Sequence, residues 1–560
     1  MKKIYIWAIV LIGIFQSSCT KLEPEFYSQV TPNNFFKSEK DVLAALNRPF
    51  THARWYLGGD RWSLQEYTAD NFAITTKGRH WYNGGTNERF HYHKWTPQEG
   101  WIWESWRGTL MGVALALDTK NDLEKLDYTR FALTPQDKEA HLNQLNTLAA
   151  FFYLRGLDYF GGMPIFTSLE GESLPRNTDV ELFNHIEGIL KEAMVKLKKK
   201  TAGEKEEGVL KQAAAASMLA RLYFNAEAYI GKPMYNECMT IVQAIVNNEY
   251  GAYALDNSWN GAHGFTNDRS PELIWSIPSQ FNRLQYDWFY ADFYHYNSRQ
   301  SFNVDLGANN GAHLTPSRKP DGTLYAESFH LGSPYETFTD GDLRKVPYRY
   351  LGNGNYEGMF LIGAQTTPAG VAIKGGEEYK DQNLVFRDQV GRFSEVGPGK
   401  KYNSIAELPS RIADGEENTG VRIVKVPIPP LSENTLRWGA DNPVIRLAEI
   451  YYMLAECKWR AGDKAAAADL INTVRKRNFA NQADPNPATA ANLDERRFLD
   501  EWSIEFLAEG RRRTDLIRWK VFTTGTWWDH QPSNASHLNR FPVPTQAISG
   551  NNNLQQNPGY

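Results

Sequence analysis

The chain has 560 residues, enough for several cores of about 150 residues or for one large architecture. Its 61 basic residues nearly balance 65 acidic ones, which leaves no long-range field to recruit nucleic acid or an anionic lipid surface, so partners have to be chosen by shape. Three cysteines are too few for a disulfide scaffold, and the 17 Trp, 28 Tyr and 29 Phe suit helical cores as well as surfaces that stack on sugar rings or proteins.

The N-terminus begins with Lys2 and Lys3, runs apolar over residues 4–15, and closes on Gln16-Ser17-Ser18-Cys19. A bilayer span needs roughly 20 apolar residues, so residues 1–18 read as a cleavable signal peptide and Cys19 as the first residue of the mature chain. Small residues ahead of a cysteine resemble a bacterial lipobox, although Gln16 stands where an aliphatic residue is usual. The resemblance implies a diacylated Cys19 that anchors the chain by its lipid; the alternative is a secreted protein with an incidental cysteine. Residues 19–34, with Pro24 and Pro32, read as a lipidated tether. The remaining Cys238 and Cys457 sit in apolar helical patterns and read as buried thiols.

Helical signals then come in pairs. Residues 38–56 offer Ser38 as N-cap, Asp41 at the third helical position, and a face of Val42, Leu43, Leu46 and Phe50. Trp103, Trp106, Leu110, Val113 and Leu117 repeat at spacings of three and four and mark its partner. Further pairs are predicted at about 135–160 with 180–199, at 208–229 with 234–249, and at 443–460 with 463–478. In the third pair Ala213 to Ala216 and Ala220 permit close helix approach; in the last, Gly462 ends one helix and Asp463 caps the next. Helix pairs with small crossing residues and a period near 34 resemble tetratricopeptide units.

Between residues 250 and 442 Gly, Pro, Asn and aromatic residues dominate, with strand-like pieces at 273–277 and 421–427. The predicted fold is therefore mainly α: four degenerate tetratricopeptide-like pairs (about 35–249 and 443–520) packed against an irregular, loop-rich lobe with short strands (about 250–442). A C-terminal tail follows at 521–560.

The chain lacks G-x-S-x-G, H-E-x-x-H and Walker A motifs, and no cofactor is implied. His91 and His93 would share one face of a strand, but two imidazoles without a third ligand are weak grounds for zinc, and no metal is assigned. Asp340-Gly341-Asp342 lacks the other oxygen donors of a calcium loop and, with Arg344 beside it, reads as a turn. A carboxylate pair for glycoside hydrolysis stays open on sequence alone.

Two clusters suit ligand binding. In Arg79-His80-Trp81-Tyr82-Asn83-Gly84-Gly85 the rings of Trp81 and Tyr82 would stack on a sugar's C–H face while Arg79 and Asn83 bond hydroxyls. In the lobe, Tyr286, Trp288 and Tyr290 alternate and are followed by Tyr294 and Tyr296; packing of the lobe is the competing reading for each ring. Trp527-Trp528 is a third candidate, suited equally to packing or to a partner contact.

Several stretches match one family in order. Leu148-Ala149-Ala150-Phe151-Phe152-Tyr153-Leu154, running into Tyr159-Phe160-Gly161-Gly162-Met163-Pro164-Ile165, resembles the aromatic helix and following turn of SusD/RagB outer-membrane lipoproteins. Ile445 to Glu456 with Gly462 and the segment 465–477, then Glu509-Gly510-Arg511-Arg512-Arg513-Thr514-Asp515-Leu516-Ile517-Arg518-Trp519, resemble two further blocks. Phe541-Pro542-Val543-Pro544 and Gln556-Asn557-Pro558-Gly559-Tyr560 are similar to the closing signature. Gly162 and Trp502 depart from the residues frequent there. The charged pairs Glu509 with Arg513 and Asp515 with Arg518 read as structural.

The resemblance implies a non-enzymatic cell-surface lipoprotein that captures a glycan, an oligo- or polysaccharide, and delivers it to a SusC-like TonB-dependent outer-membrane transporter, acting as its lid. Peptides or another nutrient in the same role, or a surface glycoside hydrolase, are the alternatives.

Overall fold

The computed structural model describes residues 35–168, 173–280, 290–299, 301–302, 308–325, 331–436 and 439–560. Twelve helices carry the frame: α1 (Glu39–Tyr56), α2 (Gly59–Glu66), α3 (Thr86–His91), α4 (Gly100–Glu124), α5 (Pro135–Phe160), α6 (Asp179–Lys196), α7 (Gln212–Phe224), α8 (Tyr235–Val246), α9 (Leu447–Arg460), α10 (Lys464–Arg475), α11 (Glu495–Glu505) and α12 (Arg512–Arg518). Packing runs in order: α1 on α4, then α5, α6, α7, α8, α9 and α10, each against the one before. The four expected pairs are all present in this array.

Local chemistry sets the ends. The backbone N–H of Ser38 donates to Asp41 Oδ2 at 2.8 Å, so Asp41 reaches back to the cap of α1 as expected. Thr134 and Thr178 accept from Asp137 and Glu181 backbone N–H groups at the starts of α5 and α6. Gly462 follows α9 with φ +90°, and Asp463 Oδ1 accepts the Ala466 N–H at 3.1 Å to start α10. Ala213 to Ala216 and Ala220 are fully buried at the α7 crossings. Cys238 on α8 and Cys457 on α9 are buried free thiols. No helix among the described residues is long and apolar enough to cross a membrane.

Ten short strands among the described residues form five antiparallel ladders in and beside the lobe: β1 (Phe72–Ile74) with β3 (Ala312–Leu314), β2 (Leu273–Ile277) with β10 (Asn442–Arg446), β4 (Arg349–Gly352) with β5 (Asn355–Glu357), β6 (Phe360–Leu361) with β9 (Arg422–Ile423), and β7 (Gly363–Ala364) with β8 (Val385–Phe386). Two boundaries differ from expectation. Residues 442–446 pair with β2 as β10, so α9 begins only at Leu447, and of 421–427 only Arg422 and Ile423 are strand. The extended backbone of Arg446 lets its guanidinium reach Glu272, Glu505 and Glu509 together.

The family blocks form buried ion pairs. Glu456 accepts from Arg518 Nε at 2.9 Å, Arg460 Nε at 2.9 Å, Trp502 Nε1 at 2.8 Å and Trp519 Nε1 at 3.2 Å. Asp515 pairs with Arg518 at 2.7 Å, as expected. Glu509 does not pair with Arg513: it lies ahead of α12 and meets Arg446 and Lys425, while Arg513 pairs with Asp158 on α5. The turn preceding α12 swings Glu509 off the helical face that even spacing would give it.

Candidate ligand-binding site

The loop carrying Trp81 leaves the frame at β1, and the β1–β3 ladder, Phe72 opposite Leu314 and Ile74 opposite Ala312, sets it beside residues 309–311. Backbone bonds from Thr76 N–H to Ile412 O (2.8 Å) and from Gly415 N–H to Thr76 O (3.0 Å) dock the segment 412–417 on the same loop. Three stretches distant in sequence thus converge on one ring.

Trp81 has φ +66° and Asn83 φ +46°, left-handed backbone that side chains other than glycine rarely adopt. Neighbours over-determine this geometry. Trp81 Nε1 donates to Asn309 O at 3.0 Å, Asn87 Nδ2 donates to Trp81 O at 2.8 Å, and Arg89 Nη1 donates to Gly84 O at 2.8 Å. The indole lies flush on Gly311, where an added Cβ would meet the ring at 2.5 Å, so only glycine leaves it that seat.

Clefts open beside Trp81 in two directions. One, of about 190 Å³, is lined by Lys77, Arg79, His80, Trp81, Tyr296, Asn309, Asn310, Glu377, Glu378 and Glu417 among others. Tyr296 donates its hydroxyl to Glu417 Oε2 at 2.6 Å, and Glu377 N–H donates to the same carboxylate at 2.7 Å. Burial would raise the Glu417 pKa, but the nearby His295 imidazole at 3.7 Å and hydrogen bonds from Tyr296 and the backbone of Glu377 and Gly376 outweigh it and hold it at about 2. Arg79 and His80 reach Glu377 Oε1 at 3.4 and 3.3 Å. Burial pushes the Lys77 pKa well down, and its Nζ donates inward to Gly311 O at 2.6 Å.

The other cleft, of about 170 Å³, is lined by Asp60, Trp62, Tyr67, Trp81, Asn83, Asn87, Trp101 and Asp292 with neighbours. Asn309 Nδ2 donates to Asp292 Oδ1 at 2.8 Å, and burial raises the Asp292 pKa to about 6.

The predicted residues divide as follows. Arg79, Trp81 and Asn83 line these clefts, whereas Tyr82 is 57% exposed and lines neither. Tyr296 joins Trp81, while Tyr294 is buried in the lobe. Tyr290 opens a short helical turn (Tyr290–Phe293) whose first side chain lies outside the described residues, as do Tyr286, Trp288 and Cys19 altogether. Trp527 and Trp528 are buried, and Trp527 stacks on His530 at 3.6 Å, which makes them packing residues. His91 and His93 are not on a strand: His91 ends α3 and His93 follows at φ +54°, both buried near His530. Among the described residues no group of three His, Cys, Asp or Glu is placed to hold a metal ion. Asp342 accepts from Arg344 at 2.7 Å in the expected turn. Asp60, Asn87, Asp292, Asn309, Glu377 and Glu417 carry no local sequence signal.

A deeper void of about 110 Å³ lies among Arg155, Arg221, Glu449, Glu509 and Arg511. Arg221 and Arg511 both pair with Glu449 there, so its walls are the same ion pairs that hold the frame.

The starch-binding protein SusD of Bacteroides thetaiotaomicron is 24% identical over 470 residues, covering 82% of this chain and 80% of that protein. A SusD superfamily protein of Parabacteroides distasonis shares the fold at TM-score 0.64 and 17% identity over 95% of this chain and 100% of that one. The surface glycan-binding protein A of Bacteroides uniformis does so at TM-score 0.61 and 14% identity over 93% and 99%. A profile of the SusD family matches residues 271–560, more than half of the sequence, and with the mainly helical frame and its buried motif pairs this establishes that the chain belongs to the SusD family.

Proposed function

We propose that this protein captures a glycan at the cell surface without cleaving it, and passes it to a SusC-like TonB-dependent transporter that it covers as a lid. Cys19 would carry the lipid anchor in the outer membrane. The observation that carries the reading is Trp81: a ring held in strained backbone, seated on Gly311, and left half-buried between two polar clefts. Strain of this kind persists where the surroundings fix it, and such residues cluster at ligand sites. An apolar ring face beside hydrogen-bonding groups matches a sugar, whose C–H face and hydroxyls need both. A relative named for starch binding and a structural neighbour named for surface glycan binding support a saccharide ligand.

The test is affinity electrophoresis of the protein lacking residues 1–19 in gels containing neutral polysaccharides, followed by chromatography of each polymer after incubation. Retardation by at least one polymer with unchanged chain length is expected. Shortened products would establish a hydrolase, and retardation by none, with binding of a peptide panel instead, would overturn the glycan reading.

A further inference from the structure

Resting on that reading, we propose that the cleft between Trp81, Trp62 and Trp101 is a second saccharide subsite, selective for an uncharged, hydroxyl-bearing ring and closed to uronate or sulfated ones. Three observations carry it. The first is an orphaned acceptor: Asn87 is 6% exposed and lines this cleft, yet its Oδ1 has no hydrogen-bond partner. Its amide orientation is fixed, because Nδ2 donates to the Trp81 carbonyl at 2.8 Å. A buried carbonyl oxygen left unpaired costs free energy that a donor from the ligand would recover. A hydroxyl supplies that donor, and an ionised carboxylate or sulfate does not.

The second is charge. Asp60 and Asp292 line this cleft, and no lysine or arginine does. Burial raises both carboxyl groups, Asp292 to about 6, so Asp292 is largely ionised at neutral pH. Across Trp81 the first cleft adds Glu377, Glu378 and Glu417. Its cations do not offset them: Arg79 lies against Glu377, and the buried Lys77 points at backbone carbonyls. An anionic sugar in either cleft would face like charge with little solvent between.

The third is shape. Trp62, Tyr67, Trp81 and Trp101 wall a space of about 170 Å³, room for several waters at ~30 Å³ each, so the acidic groups surround an aromatic slot and not a flat patch. Trp81 divides this slot from the first cleft, and one sugar chain passing over its edge would place adjacent rings in both.

The experiment uses the protein lacking residues 1–19 and four polymers: dextran, galactan, xylan and mannan, each as its carboxymethyl derivative and as a neutral hydroxyethyl derivative of equal substitution. Calorimetry at low salt should show that a bound hydroxyethyl polymer binds about tenfold or more tightly than its carboxymethyl partner, the gap narrowing with salt. The double variant D60N/D292N should close most of that gap, read as the ratio of the two affinities in the variant itself. If the double variant fails to fold, the single variants D60N and D292N are measured instead and each should close part of it. A gap within twofold in the wild type, or an undiminished gap in the variants, overturns the subsite while leaving glycan capture intact. Binding of no polymer in any form overturns both.

Discussion

Glu417 and Trp81 show how single side chains hold the site. Left-handed backbone costs a residue such as Trp81 roughly 1–3 kcal/mol, and its hydrogen bonds to Asn309 and from Asn87 offset that cost only while the converging loops stay docked. Glu417 does the docking, accepting from Tyr296, Gly376 and Glu377. Its folded pKa of about 2 lies below the ordinary 4.5, so between those values the unfolded chain binds more protons. The stability it contributes is complete above pH 4.5 and is lost as pH falls toward 2. In urea unfolding, the wild type should therefore lose stability more steeply over that window than Glu417→Gln; parallel curves would show the carboxylate to be ordinary.

Gly162 makes a second residue-scale case. A Cβ there would lie 1.9 Å from the Asn177 carbonyl oxygen, so Gly162→Ala should cost about 2–4 kcal/mol by forcing apart the turn between α5 and α6. An unchanged melting temperature would mean that the turn yields. The sequence marked Gly162 only as a departure from family habit, because the clash comes from a residue beyond the turn. Trp81 was legible for the opposite reason: rings interleaved with polar residues ahead of Asn83-Gly84-Gly85 signal an exposed loop by composition alone. Asp292, Asn309, Glu377 and Glu417 were not, since they arrive from the lobe through segments without periodicity, and Asp60 and Asn87 sit on short helices whose sequence does not mark them out.

At the scale of elements, the helix pairs were readable because burial on one face imposes a 3.6-residue repeat and caps mark the ends. The start of α9 was not, because Val444 and Ile445 continue its apolar pattern although β2 recruits them into a ladder. The pairing of Glu509 was misread for a related reason: spacing predicts contacts only inside a helix, and α12 begins at Arg512. The elements are tied together by Glu456, which joins α9 to α11 and α12 through Trp502, Trp519 and Arg518. Glu456→Ala would leave Arg518 buried with one partner fewer and should destabilise the protein by about 3–5 kcal/mol. Chemical denaturation measures it, and a loss below about 1 kcal/mol would mean that Asp515 and Asn225 satisfy Arg518 without Glu456.

For the whole molecule, a frame of sequentially packed helices presents a lobe whose loops converge on Trp81, so the proposed anchor at Cys19 and the proposed recognition site lie in separate parts of the chain. Cys19→Ala should accordingly move the protein from the membrane fraction to a soluble fraction without changing its retardation by polysaccharide; loss of both together would show that the tether contributes to the site. Whether the Trp81 ring is the platform on which a glycan is held is decided by calorimetric titration of one retained neutral polysaccharide into the wild type, Trp81→Phe and Trp81→Ala. Trp81→Ala should weaken binding about tenfold or more, ~1.4 kcal/mol or above, while Trp81→Phe keeps most of the affinity. Equal affinity for all three proteins would contradict it.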